Sequence, residues 1–320
     1  MTLEDKVGQL LMVVPREDLV RRVHAGTVVL MDRDVDSESE TRQLTADLQR
    51  WNAETSRVPL WVHGFITTKE WAGPRDGQIA QRCALQDAEE LCYELGRRWR
   101  HLGLHTYPSP TVNVPIHETC IMRAWAISDD PDTATRYSRA ITRGLIRAGC
   151  GTMAQHFPAH GATAVDSHQD VPVIELSRTE LMRDHIPPYQ ASFREGCTTI
   201  CTAHLRCPAL DPDPGRIATT SRPILTDFLR GELGFRGVTI ADAIGMVGFQ
   251  KMGDPGETCV EAVAAGCDSI CVTSDDDAAC SVFESLLRAA GLGQLTETRL
   301  NEAVGRNLSF KQWLQERAPA

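Results

Sequence analysis

The sequence has no apolar run long enough to span a bilayer. Its first apolar stretch, "VGQLLMVV" (7–14), falls far short of the roughly 20 residues a membrane helix needs. That stretch also lacks the flanks of a signal peptide, so a cytoplasmic, membrane-free protein is expected. Eleven cysteines are present but none forms a CxxC pair, and several, such as Cys201, Cys267 and Cys271, sit in apolar company. A disulfide framework is therefore excluded in favour of reduced, mostly buried thiols. Positive charge is in deficit: 33 Lys and Arg stand against 43 Asp and Glu, a net charge of -10. That balance argues against nucleic acid and anionic membrane surfaces as partners. No GxGxxG follows an early strand and no helical HExxH spacing occurs, so neither a dinucleotide fold nor a zinc-peptidase helix is indicated. No cofactor and no metal are expected.

What is present is an alternation. Short β-prone runs at 11–14, 26–31, 59–64, 105–110, 151–157, 198–204, 237–242 and 269–274 alternate with helical segments. Helices are expected at 38–55, 84–102, 132–148, 178–195, 222–233, 256–266, 278–290 and 297–313. In 132–148, Tyr137, Ala140, Ile141, Leu145 and Ile146 recur at spacings of three and four, the signature of one buried helical face. Gly149 suits the left-handed position after that helix. Eight strands alternating with helices predict an α/β protein, a (β/α)8 TIM-type barrel forming one domain over residues 1–320.

Such a barrel places its chemistry where strands end. The polar residues there are His63, Asn113, His156 with the loop 158–170, His204 and Asp242. Within "QHFPAHGATAVDSHQD" (155–170), a surface loop, a catalytic loop and a zinc site built from His156, His160 and His168 all fit by residue type. Trp71 and Trp125 are candidates for an aromatic platform under a ring.

These residues also carry a resemblance. "EDKVGQLLMV", "QHFPAHG…DSH", "CTAHLRCPALDPD", "LRGELGFRGVTIADAIGM" and "AVAAGCDSICV" resemble glycoside hydrolase family 3, nearest to its single-domain bacterial β-N-acetylglucosaminidases. The similarity runs in order from about residue 3 to residue 312. It implies a retaining glycosidase in which Asp242 attacks the sugar through a covalent glycosyl intermediate. It implies that His168, oriented by Asp166 on a mobile loop, is the acid/base, and that His156 and Arg123 face sugar hydroxyls. Gln155, His63 and His204 complete the expected substrate set, and the partner is a small glycoside or sugar-derived molecule.

Several positions depart from the family pattern. Gln155 stands where the family has lysine, Ala159 where it has glycine, and Ala243 where a second aspartate follows the nucleophile. The DxEGGRV segment after the third strand is replaced by "VHGFITTKEW" (62–71). An altered sugar subsite is expected. The alternative is a repurposed barrel that no longer hydrolyses glycosides, as a biosynthetic enzyme or a small-molecule-binding protein.

Overall fold

The computed structural model describes residues 1–318. Eight parallel strands close into a barrel in sequence order: β1 (Leu11–Val13), β2 (Thr27–Met31), β3 (Trp61–Phe65), β4 (Thr106–Tyr107), β5 (Gly151–Phe157), β6 (Thr199–Thr202), β7 (Val238–Ala241) and β8 (Ser269–Val272). Strand β8 pairs back onto β1 with Met12 opposite Cys271. The fold is a (β/α)8 barrel, as the alternation predicts. Each expected strand is present, but the fourth shrinks to two residues. Pro108 and Pro110 have no N–H to give to a ladder, so the run 105–110 cannot continue as strand.

The helices follow the expected faces, with local corrections. Segment 132–148 forms the helix Pro131–Arg147, whose first turn is capped by the Asp130 carboxylate accepting from the Thr133 N–H at 2.9 Å. Gly149 follows at a φ of 68°, as the sequence requires. Segment 178–195 is not one regular helix. A single turn at Arg178–Glu180 widens into a π-type turn, Leu181–His185, before the helix Pro187–Arg194. Pro187 and Pro188 again lack the donors that a continuous helix needs. The short helices Leu3–Gly8, Glu17–Arg22 and Asp76–Arg82 were not expected, because six or seven residues are too few for a periodicity to show.

Alternation along the strands decides what fills the barrel. Successive side chains of a strand point to opposite faces, so every second residue enters the interior. Met12, Val29, Met153, Cys201, Ile240 and Cys271 form one inner cluster with Trp61 and Val238. The last helix, Glu297–Glu316, closes the end where the strands begin, with the Phe310 ring edge-on to Trp61 at a centroid distance of 4.8 Å. One step further along the same parity, His63, Gln155, Asp242 and Thr273 surround the opposite, open end. The outward-facing neighbour of His63 is Gly64, where a Cβ would come within 2.2 Å of the buried Trp99 ring. Only glycine lets the helix Leu85–His101, which carries Trp99, lie so close to β3.

Candidate active site

A cavity of about 400 Å³ opens at the ends of the strands. Asp242, directly after β7, is on its wall. The Asp242 Oδ1 accepts from the Ala243 N–H at 2.7 Å, and its Oδ2 lies 3.7 Å from His156 Nε2. Burial pulls His156 below the ordinary imidazole range, while the Asp242 charge partly opposes this. The pairing of β5 with β6 slips between Ala154 and Phe157, so strict alternation fails there. Gln155 and His156 consequently both line the cavity, although they are adjacent in the chain.

The loop after β5 divides into two parts. Its first half is bolted down. Asn113 donates to the Gln155 carbonyl at 2.9 Å and accepts from the Gly161 N–H at 3.1 Å. His160 is buried, with Nδ1 bonded to Thr163 Oγ1 at 2.9 Å and Nε2 to Ser167 Oγ at 3.1 Å. Burial pushes its pKa down to about 4, and both ring nitrogens are engaged, which makes His160 a structural residue. The second half reaches the rim. Asp166 accepts from both the backbone N–H of His168, at 2.9 Å, and its ring Nδ1, at 2.7 Å. Partial burial works against the Asp166 carboxylate, yet these two bonds hold it below the usual range. The His168 ring lines the cavity and is more than half exposed, with its Nε2 left for a ligand.

Support comes from a residue that sequence reasoning missed. Asp76 is buried and accepts from Ser109 Oγ at 2.7 Å and from the Thr111 N–H at 2.6 Å. Burial raises its pKa to about 6 against those bonds. It pins the loop that carries Asn113, and so indirectly the Gln155–Gly161 backbone. No spacing in "RDGQIA" could have announced this. Cys201 and Cys271, in the sequence simply thiols in apolar company, point into the barrel.

The glycosyl hydrolase family 3 N-terminal domain profile matches residues 2–310. The chain belongs to glycosyl hydrolase family 3. It is 26% identical to a beta-hexosaminidase of Pseudomonas aeruginosa, over 97% of this chain and 94% of that one. It is 27% identical to a beta-hexosaminidase of Chromobacterium violaceum, over 82% and 75% of the two chains. Among solved structures, a family 3 beta-N-acetylglucosaminidase from a Paenibacillus species superposes with a TM-score of 0.93 at 28% identity; the match covers all of this chain and 64% of that one.

Within this family 3 barrel the expected site residues separate into those that meet and those that do not. Asp242, His156, His168, Gln155 and His63 line one cavity, with Asp166 behind His168. Arg123 does not line it. Its guanidinium bonds Asp129 at 2.8 Å and lies 3.7 Å from Glu118, so nearby carboxylates hold it at the surface. His204 is fully buried one layer out, where Nδ1 meets Thr219 Oγ1 at 2.9 Å and Nε2 meets the Ala243 carbonyl at 3.3 Å. It braces the backbone beside Asp242. Trp125 lines the cavity beside Phe65 and under the Arg75 guanidinium, whereas Trp71 packs against the core.

The metal-ligating types also regroup. With His160 committed to Thr163 and Ser167, the three histidines of the loop do not gather. Among the described residues, the group whose ligand atoms lie within 4.8 Å of one another is His156, Cys201 and Asp242. Burial and the neighbouring Asp242 charge push the Cys201 thiol well above its usual range. It is a neutral wall of the cavity at physiological pH. No helix among the described residues is long and apolar enough to cross a membrane.

Proposed function

We propose that this family 3 protein is a retaining, β-hexosaminidase-like glycosidase with altered substrate specificity. The observation that carries the reading is the meeting in one cavity of the Asp242 carboxylate and the His168 ring of the Asp166–His168 pair. In the first step an Asp242 oxygen bonds the anomeric carbon as the bond to the leaving oxygen breaks. The His168 Nε2 proton passes to that oxygen. In the second step His168 takes a proton from water, which displaces Asp242 and releases the sugar. A carboxylate suits the role because it is a stable anion at neutral pH and still a competent leaving group. An imidazole can both give and take a proton, and Asp166, accepting from Nδ1, fixes its tautomer and orientation. We place the protein in the cytoplasm, in keeping with eleven free cysteines of which Cys83 alone is not buried.

A panel of nitrophenyl β-glycosides, read with wild type and Asp242→Asn, tests this. Turnover of at least one glycoside is expected, falling about 10³-fold or more in the variant. A fluorinated glycoside should label Asp242, as seen by peptide mass spectrometry. Absence of turnover across the panel, with the asparagine variant indistinguishable in every assay, would instead favour the repurposed barrel.

A further inference from the structure

The turn that carries His168 is docked onto the segment that follows Asp242. Asp166 opens the turn, its carbonyl accepting from the Gln169 N–H at 2.9 Å and the Asp170 N–H at 3.1 Å. Ser167, between the two members of the pair, is buried. Its carbonyl accepts from the Gly248 N–H at 2.9 Å, and its Oγ meets His160 Nε2 at 3.1 Å. One residue is thus gripped from two sides, by the bolted half of its own loop and by the short helix Val247–Gln250.

That helix is itself firmly seated. Phe249 is fully buried, with its ring centroid 4.9 Å from that of His204. Gly248 lies at the contact with the turn. A Cβ there would stand 2.9 Å from the His204 carbonyl oxygen, 3.1 Å from that of Asp170 and 3.2 Å from that of Ser167. The Gly248 backbone is helical rather than left-handed, so its conformation suits any residue, and alanine would ordinarily favour a helix there. What the position requires is the missing side chain, because three carbonyl oxygens from two loops close over it. A further tie, Lys251 Nζ to Asp170 Oδ1 at 2.7 Å, is more than half exposed at both ends and contributes little.

Resting on the glycosidase reading above, we infer that Gly248 is a positioning residue. By admitting the Ser167 peptide against the helix that follows Asp242, it sets His168 at a fixed place relative to the nucleophile. The tie joins the residue beside the acid/base to the segment leaving the nucleophile, so the two groups come as one preassembled unit. A displacement of about 1 Å between them is enough to cost up to about 10²-fold in rate.

Gly248→Ala tests this, read against Lys251→Ala. Hydrogen exchange followed by mass spectrometry needs no substrate: in Gly248→Ala the amides of 166–170 should exchange about ten-fold or more faster than in wild type, while β5 and β7 keep their protection. Two aryl glycosides of a sugar that the panel turns over then read the chemistry through kcat/KM, which covers departure of the aglycone. Dinitrophenolate leaves without a proton, whereas phenolate needs one from His168. The kcat/KM of Gly248→Ala should fall about ten-fold or more further on the phenyl than on the dinitrophenyl glycoside. Ser167→Ala, which releases the same turn from His160 without adding an atom, should show the same bias, and Lys251→Ala should match wild type on both. Unchanged exchange in Gly248→Ala, equal losses on the two glycosides, or the same loosening in Lys251→Ala overturns the inference. Faster exchange in Gly248→Ala, with no glycoside turned over by the wild type, supports the docking and sinks the glycosidase reading instead.

Discussion

Two buried polar residues at opposite ends of the barrel, Asp268 and His63, are treated in opposite ways. Where β8 begins, Asp268 is fully buried and gathers Arg230 at 2.5 Å, Arg299 at 2.8 Å, Arg306 at 2.9 Å and the Thr239 N–H at 3.0 Å. Its carbonyl accepts from Asn307 at 2.9 Å. One carboxylate thereby ties β7, the helix Pro223–Glu232 before it and the last helix together. Where β3 and β5 end, His63 and the Gln155 oxygen are just as deeply buried and have nothing. Asp268 thus holds elements in place. His63 and the Gln155 oxygen are left unmatched, at a cost in stability.

Asp268 offers the largest test of the contrast. Replacing it with alanine leaves three guanidinium groups near one another with no anion between them. Removing one partner of a buried ion network typically costs about 3–5 kcal/mol. Urea unfolding should show a loss of that order, while kcat of the folded fraction stays close to wild type. A loss below about 1 kcal/mol would mean that the closed end is not held as described.

The division between the ends was only partly readable beforehand. The places of Asp242 and His156 were legible because strand-end position and residue chemistry coincide there, whereas the pairing of Asp166 with His168 came from the family resemblance. Arg123 left two readings open, a sugar contact or an ion pair with Glu118, Asp129 or Asp130, and the structure has it bonded to Asp129. The Asp268 cluster left no mark, since its arginines come from positions 230, 299 and 306 and meet only after the barrel closes. The orphaned state of His63 was equally invisible. A sequence shows that a histidine ends a strand, but the absence of a partner is a property of everything around it.

His63 supplies the second test. His63→Leu removes two unpaired buried nitrogens and should stabilise the fold by about 1–2 kcal/mol near pH 7, measured by urea unfolding. The gain should widen in acid. Folded His63 has a pKa near 3, against 6.5 for the unfolded chain, so below pH 6.5 the unfolded wild type takes up a proton that the folded protein does not. Wild-type stability therefore falls toward pH 3 by up to about 1.4 kcal/mol per unit from this residue, and the leucine variant escapes that share. A variant less stable than wild type throughout would place a hidden partner on His63 and end the contrast.

The smallest expected effect comes from the closed end's own exception. Lys311, on the last helix, is buried with its ammonium against Gln9 Oε1 at 2.6 Å, and no carboxylate among the described residues pairs with it. Burial lowers its pKa to about 7. The unfolded chain holds this proton up to about pH 10.5, so wild-type stability should rise with pH between about 7 and 10.5 as the folded state sheds it first. Lys311→Met lacks that slope. At pH 7 its net gain should be only about 1 kcal/mol, because relief of the buried ammonium is offset by leaving Gln9 without its donor. Equilibrium unfolding at pH 7 and pH 9.5 distinguishes the two proteins by slope rather than by level. Parallel stabilities at both pH values would show that Lys311 keeps its charge in the fold, and that the closed end tolerates an ion it does not pair.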